Sequence, residues 1–226
     1  MLHTKALAAL VAITSIAASI MPAHAEYAVN FSLPQATCCS NLVNGLDGFD
    51  FTPTKDLTVN ALGWYDNGAD GLNNQHPVAI YVTSTKELAA PSAIVDSVST
   101  LDTTTDFRFT SITPFVLSAG TEYTLVGYGS GPAWDRYVVN PTGGISFGAD
   151  ITYEGLRTSR STGLEFPTTA GEAGLVHNLF LGPNFQYSVS SVPELPTYAL
   201  MLAGLMLLVA TKRKSDKHGA PNFSTL

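Results

Sequence analysis

Charged residues are scarce in this sequence of 226 residues: Asp, Glu, Lys and Arg make up 13% of it, while hydrophobic residues make up 45%. This composition excludes an intrinsically disordered polymer, because disordered chains combine low hydrophobicity with high net charge. Basic residues are the rarer kind, with eleven Lys and Arg against eighteen Asp and Glu. A nucleic acid is therefore not an expected partner.

Residues and motifs that usually carry catalysis are also few. Between Glu26 and Val192 the only histidines are His76 and His177, and there is no Gly-x-Ser-x-Gly elbow, no His-Glu-x-x-His pair and no phosphate-binding loop. We therefore assign no catalytic residue and predict a protein that is not an enzyme. A secreted glycan hydrolase stays open as an alternative, because the spatial separation of two carboxylates defines such a site and a sequence does not show it.

Cysteine is nearly absent, since Cys38 and Cys39 are the only two and they are adjacent. Neighbouring Cα atoms lie about 3.8 Å apart, closer than the roughly 4.4 to 6.8 Å that disulfides prefer. A bridge between them would be strained, and strained bridges are readily reduced. We expect a vicinal disulfide or a structural role, with pairing to another chain and two buried thiols as alternatives.

The N-terminal segment has the three parts of a secretory signal peptide. A short region with Lys5 precedes the uncharged run from Ala6 to Met21, and Ala23-His24-Ala25 then forms an A-x-A cleavage site. The uncharged run is too short and too weakly apolar to remain as a membrane-spanning helix. We therefore expect residues 1–25 to be removed by signal peptidase after passage through the export machinery.

The C-terminal segment predicts one short membrane helix. The residues from Tyr198 to Ala210 carry no charge, and the basic run of Lys212, Arg213 and Lys214 follows them. From Leu195 to Thr211 a helix would be about 26 Å long, near the lower limit for a bilayer core of about 30 Å. Because basic residues stay on the cytoplasmic side, the preceding domain would lie outside.

This segment resembles the PEP-CTERM sorting signal. The resemblance rests on Val192, Pro193 and Glu194, on the apolar residues from Thr197 to Leu205, and on the basic run. In that family the signal belongs to exported proteins of exopolysaccharide-producing Gram-negative bacteria, and an exosortase processes it near the Pro-Glu-Pro. The resemblance implies transient or stable anchoring in the inner membrane, then release or transfer to the cell surface. This chain differs in two respects, because Pro196 lies one position late and the polar tail 215–226 extends beyond the signal 193–214.

Residues 26–192 predict one all-β domain. Apolar residues alternate in short runs such as Val78, Ile80 and Val82, and Asn, Asp, Gly and Pro clusters separate these runs. This pattern is typical of an antiparallel β-sandwich. The order of motifs between residues 45 and 130 resembles the β-sandwich ectodomain of many PEP-CTERM proteins, which implies a jelly-roll-like fold and says little about activity.

One loop has the residue types of a calcium site. Asp66, Asp70, Asn73 and Asn74 supply closely spaced oxygen ligands, which calcium prefers. No Glu stands at the twelfth position, which is Pro77, so an ordinary turn that needs no metal is the favoured interpretation. No cofactor is predicted unless this loop binds calcium, which would make the protein a calcium-dependent adhesin or lectin-like module.

A second candidate site consists of aromatic residues on which sugar rings could stack. The candidates for a ligand face are Trp64, Trp134 and Asp135, of which the last two lie in a Gly- and Pro-rich stretch. Most aromatic residues of β-proteins are buried in the core. From these observations we expect an exported, non-catalytic protein of the cell surface or extracellular matrix that associates with exopolysaccharide.

Overall fold

The structure is a computed structural model that describes residues 25–31, 37–38, 45–129, 135, 137–139, 145–170, 180–189 and 201–208. Several sequence predictions lie outside these residues. They concern residues 1–24 of the signal peptide, the sorting-motif residues Val192, Pro193, Glu194 and Pro196, the basic run from Lys212 to Lys214, and the tail 215–226.

The described chain consists mostly of antiparallel β-strands, which confirms the all-β prediction. The bounds of the strands are β1 Glu26–Tyr27, β2 Val29–Phe31, β3 Thr37–Cys38, β4 Gly45–Pro53, β5 Leu57–Tyr65, β6 His76–Val82, β7 Glu87–Leu88, β8 Ala93–Val95, β9 Thr100–Asp102, β10 Phe107–Leu117, β11 Tyr123–Gly129, β12 Tyr137–Val139, β13 Ile145–Phe147, β14 Ile151–Arg160, β15 Thr169–Ala170, β16 Phe180–Leu181 and β17 Pro183–Val189.

The first sheet contains five strands in the order β1-β17-β5-β10-β9. At one edge, β9 pairs with β10 only from Phe107 to Phe109. Beyond that point β10 has an irregularity between Ser111 and Phe115, and Pro114 lies within it. Proline and local irregularities are common at sheet edges because they discourage pairing with another chain.

The second sheet has the order β15-β14-β4-β11-β6-β7, and β8 also pairs with β6. One of its clusters, formed by Leu46, Tyr81 and Tyr128 among others, is covered by Leu164 and Phe166. The Phe166 ring lies 5.3 Å from the Arg157 guanidinium, at a separation typical of a cation–π contact. The segment after β14 therefore packs back onto this sheet.

The two large sheets share one apolar core. The rings of Phe51 in β4 and Phe185 in β17 have centroids 5.2 Å apart and join the sheets near the middle. At one end of the core Trp64 packs against Gly127, where an added Cβ would lie 2.2 Å from the indole ring. Gly127 thus makes room for the largest side chain of the core.

The first strand of the domain lies beside the last one, because Glu26 in β1 is opposite Tyr187 in β17. Two smaller sheets, β16-β12-β3 and β13-β2, complete the described strands. Residues 201–208 are helical. Within the described ranges no helix has both the length and the apolar character needed to cross a membrane.

Candidate functional site

Asp66 organises the loop in which calcium ligands were predicted. It directly follows β5, and its side chain is buried. Its two carboxylate oxygens accept the backbone N–H of Gly71 at 3.2 and 3.1 Å, and Arg108 Nε donates to Oδ2 at 2.6 Å. The loop turns through positive φ at Gly68, Ala69 and Gly71, of which the two glycines adopt such angles without steric cost. The buried Asp66 side chain therefore fixes the conformation of the first half of the loop.

Asp135 fixes the second half of the same loop. Its carboxylate accepts the backbone N–H groups of Asn73 and Asn74 at 2.7 and 2.8 Å, and their side-chain amides at 3.1 and 3.2 Å. His76 Nε2 lies 2.8 Å from Asp135 Oδ2, and both side chains are only 2% exposed. Burial alone would raise the pKa of Asp135, but the hydrogen bonds from His76 and Asn73 outweigh it and lower that pKa.

The Trp64 indole stacks on the His76 ring, with centroids 4.1 Å apart and planes 7° from parallel. Trp64 is 1% exposed, so it presents no face to solvent on which a sugar could stack. Its position follows from the alternation of β5, which turns Trp64 toward Gly127 of the opposite sheet. Trp64 Nε1 and His76 Nδ1 are buried and have no hydrogen-bond partner among the described residues.

A polar cleft of about 180 Å³ opens where the loop meets Asp135. Asp70 and Asn73 are exposed at its rim. We call it the loop cleft, and it is lined by Asp66, Asn67, Asp70, Gly71, Leu72, Asn73 and Asp135.

The loop cleft does not fit calcium well. Calcium takes six to eight oxygen ligands, but the carboxylates of Asp66 and Asp135 already accept hydrogen bonds from Arg108, His76 and the loop amides. Of the described side chains that line the cleft, Asp70, Asn67 and Asn73 keep an oxygen that accepts no hydrogen bond, which is fewer than calcium requires. Among the described residues no group of three or more His, Cys, Asp or Glu side chains is arranged to hold a metal ion.

Two other buried carboxylates, Asp47 and Asp50, lie in β4 and not in this loop. Asp47 in β4 is buried and neither of its oxygens has a hydrogen-bond partner in the described part of the chain. Burial raises its pKa well above the usual value. Asp50 accepts hydrogen bonds from Thr124 Oγ1 and Arg157 Nε, each at 2.6 Å, and burial raises its pKa despite these bonds.

Sequence analysis predicted some residues of this site correctly and did not predict others. Asp66, Asp70 and Asn73 line one cleft, whereas Asp135, which sequence analysis placed on an aromatic face, joins them from more than 60 residues away. Arg108 and His76 gave no sequence signal for their roles, because each becomes important only through a partner distant in sequence. Trp134 and Cys39 lie outside the described residues, and Cys38 is described only as part of β3.

Comparison of the chain with protein-family models, with curated proteins and with solved structures finds no match.

Proposed function

We propose that the protein is exported and acts, without catalysis, at the cell surface or in the extracellular matrix, where it associates with exopolysaccharide. The two ends of the sequence support export, because they have the features of a signal peptide and of a PEP-CTERM-like signal. Its partners on that route would be the export machinery, signal peptidase and an exosortase-like processing enzyme. One C-terminal helix would anchor it in the inner membrane, transiently or stably, before it reaches its final location.

The observation that carries the binding part of the proposal is the rigid polar loop cleft. Asp66 and Asp135 hold its wall through partly buried hydrogen bonds, so little conformational entropy is lost when a ligand enters. Asp70 and Asn73 are exposed at the rim. The Asp70 carboxylate can accept hydrogen bonds from sugar hydroxyls, and the Asn73 amide can both donate to and accept from them. The cleft has room for one sugar unit or a branch.

We further infer a jelly-roll-like sandwich. The chain alternates between the two large sheets: β1 belongs to the first, β4 to the second, β5 to the first, and β6 and β8 to the second. It continues with β10 in the first sheet, β11 in the second and β17 in the first. Such crossing connections over a shared core are typical of jelly rolls.

The test is the binding of the protein from Glu26 to Leu226, in mild detergent, to the exopolysaccharide of its own host. We expect saturable binding that Asp70→Ala weakens at least fivefold, whereas the matched change of another exposed carboxylate, Glu87→Ala, leaves it unchanged. Absence of binding to the polymer would contradict the proposal. Loss of binding in chelator would instead favour the calcium-dependent adhesin, and release of new sugar ends from the polymer would favour the hydrolase.

A further inference from the structure

A groove runs along the edge of the first sheet, on both sides of β9. It consists of two adjoining clefts of about 350 and 300 Å³, which share Thr100, Phe109 and Ser111. Each cleft reaches the lower end of the range of about 300 to 1,000 Å³ that is usual for ligand sites. We call the two together the β9 groove. It has room for a longer stretch of ligand than the loop cleft of about 180 Å³.

Hydroxyl groups line the β9 groove. The side chains of Thr100, Thr103 and Ser111 are exposed, and no hydrogen bond to them occurs within the described ranges. A hydroxyl both donates and accepts, so these groups match the hydroxyls of a sugar. Phe109 belongs to the lining of both clefts but is only 5% exposed, so the apolar surface open to solvent is that of Val98, which is 89% exposed. Apolar carbon of this kind complements the C–H faces of sugar rings.

The charge of the β9 groove is negative. Asp96 and Asp102 belong to its lining, and none of the described lining residues is basic. Burial opposes the ionisation of Asp102, but hydrogen bonds from Thr104 and Tyr27 outweigh it and lower the pKa of Asp102. The nearby Arg108 does not offset this charge, since it donates to Asp66 and to two backbone carbonyl oxygens. An acidic polysaccharide would be repelled from such a groove.

We propose that the β9 groove binds an extended stretch of a neutral polysaccharide chain, by hydrogen bonds to Thr100, Thr103 and Ser111. This inference rests on the proposed association with exopolysaccharide and adds a second site, separate from the loop cleft, and the charge class of the polymer.

The experiment measures binding of neutral and acidic oligosaccharides to the protein from Glu26 to Leu226 in mild detergent. The probes are neutral hexasaccharides of glucose, mannose and galactose, and a hexasaccharide of uronic acid. We expect at least one neutral probe to bind, and the uronate probe to bind at least tenfold more weakly at low salt, with a smaller difference at high salt because salt screens the repulsion.

Thr100→Trp should fill the β9 groove and weaken binding of the neutral probe at least tenfold. Thr152→Trp is the matched control, because Thr152 is an exposed threonine of β14 in the other sheet. Its binding should stay within twofold of the unmodified protein. Thr103→Trp serves as a second blocking variant if Thr100→Trp unfolds, and thermal unfolding of each variant identifies that case.

The inference is overturned if no neutral probe binds, if the uronate probe binds more tightly, or if folded groove variants bind as well as the control. Its failure is distinguishable from failure of the proposed function. Binding of host polymer that is sensitive to Asp70→Ala but not to Thr100→Trp would uphold the function and reject the groove. Binding of a neutral probe in the groove without binding of host polymer would uphold the groove and reject the proposed function.

Discussion

Asp47 and Asp135 are buried carboxylates whose surroundings shift their pKa values in opposite directions. Asp135 accepts hydrogen bonds from two backbone N–H groups, two side-chain amides and His76, and these lower its pKa. Asp47 has no partner among the described residues, and burial raises its pKa well above the usual value. The anionic form of Asp135 is therefore stabilised in the fold, whereas burial disfavours the anionic form of Asp47.

Replacing Asp47 by leucine should stabilise the protein. A buried polar group without a hydrogen bond costs about 1 to 3 kcal/mol, and Asp47→Leu removes that cost. Because the folded-state pKa is raised, ionisation favours unfolding, and the unmodified protein loses stability as pH rises above about 4. The gain of Asp47→Leu in the free energy of unfolding, from urea titration, should therefore be larger at pH 8 than at pH 4.5. A gain that is equal at both pH values would show that Asp47 does not resist ionisation, and Asp47→Asn, which keeps the polar group, should gain less.

Replacing Asp135 by alanine should have the opposite effect. The change removes the acceptor of the buried His76 ring and of the N–H groups of Asn73 and Asn74, so we expect the free energy of unfolding to fall by about 2 to 3 kcal/mol at pH 7. The folded-state pKa is lowered, so this contribution is present above the unfolded pKa of about 4 and is lost as pH falls below it. Thermal unfolding should show a large difference in melting temperature between Asp135→Ala and the unmodified protein at pH 7, and a smaller difference at pH 3. A constant difference would mean that the carboxylate charge does not matter.

At the scale of elements, the alternation of apolar residues located most of the long strands of the core, but it did not indicate β14. Val59, Ile80 and Leu125, for example, lie in β5, β6 and β11 and point into the core, because side chains of a strand alternate between its two faces. Two- and three-residue strands such as β7 and β9 gave no such signal. They are too short to show a period, and they form only because a longer strand provides hydrogen-bonding groups beside them.

The candidate site was predictable only where its residues are close in sequence. The Asp, Asn and Gly residues between Asp66 and Asn74 indicated a polar loop, which is present. Neither Arg108 nor Asp135 could be assigned to that loop, since the fold of two sheets brings them there from distant segments. The β9 groove was missed for the same reason, because its threonines and serine read as ordinary strand and turn residues.

Gly127 shows how an element depends on one small residue. An added Cβ would lie 2.2 Å from the Trp64 ring, so Gly127→Ala should displace the indole from its stack on His76. Overpacking of this kind costs about 1 to 3 kcal/mol, measurable by urea titration. The control is Gly163→Ala, since a Cβ there would meet no atom within 4 Å. Equal stability of Gly127→Ala and the unmodified protein would contradict the described packing.

At the scale of the whole molecule, the domain is acidic, and four of its six cations contact other side chains. Residues 26–192 contain sixteen acidic and six basic residues, for a formal charge of −10. Lys55, Arg108 and Arg157 form ion pairs with Asp150, Asp66 and Asp50. Lys86 lies over the Phe166 ring. A net charge of this size keeps a protein soluble and favours neutral or cationic ligands over acidic ones.

The intact mass of the protein recovered from its host tests both processing steps. We expect a species that begins at Glu26 and ends near Glu194, because the two ends of the sequence have the features of a signal peptide and a sorting signal. A species that keeps Lys212 to Leu226 would mean that Leu195, or the tail, blocks processing. A species that keeps residues 1–25 would contradict cleavage by signal peptidase.

The pairing of β1 with β17 has a consequence for the order of folding. During export a chain emerges from its N-terminus onward, so Glu26 would be outside long before Tyr187. Strand β1 could thus pair with β17 only after almost the whole domain had crossed the membrane. Folding through contacts so distant in sequence is slow. The chain would therefore stay unfolded, and able to pass through the translocation channel, until export is nearly complete.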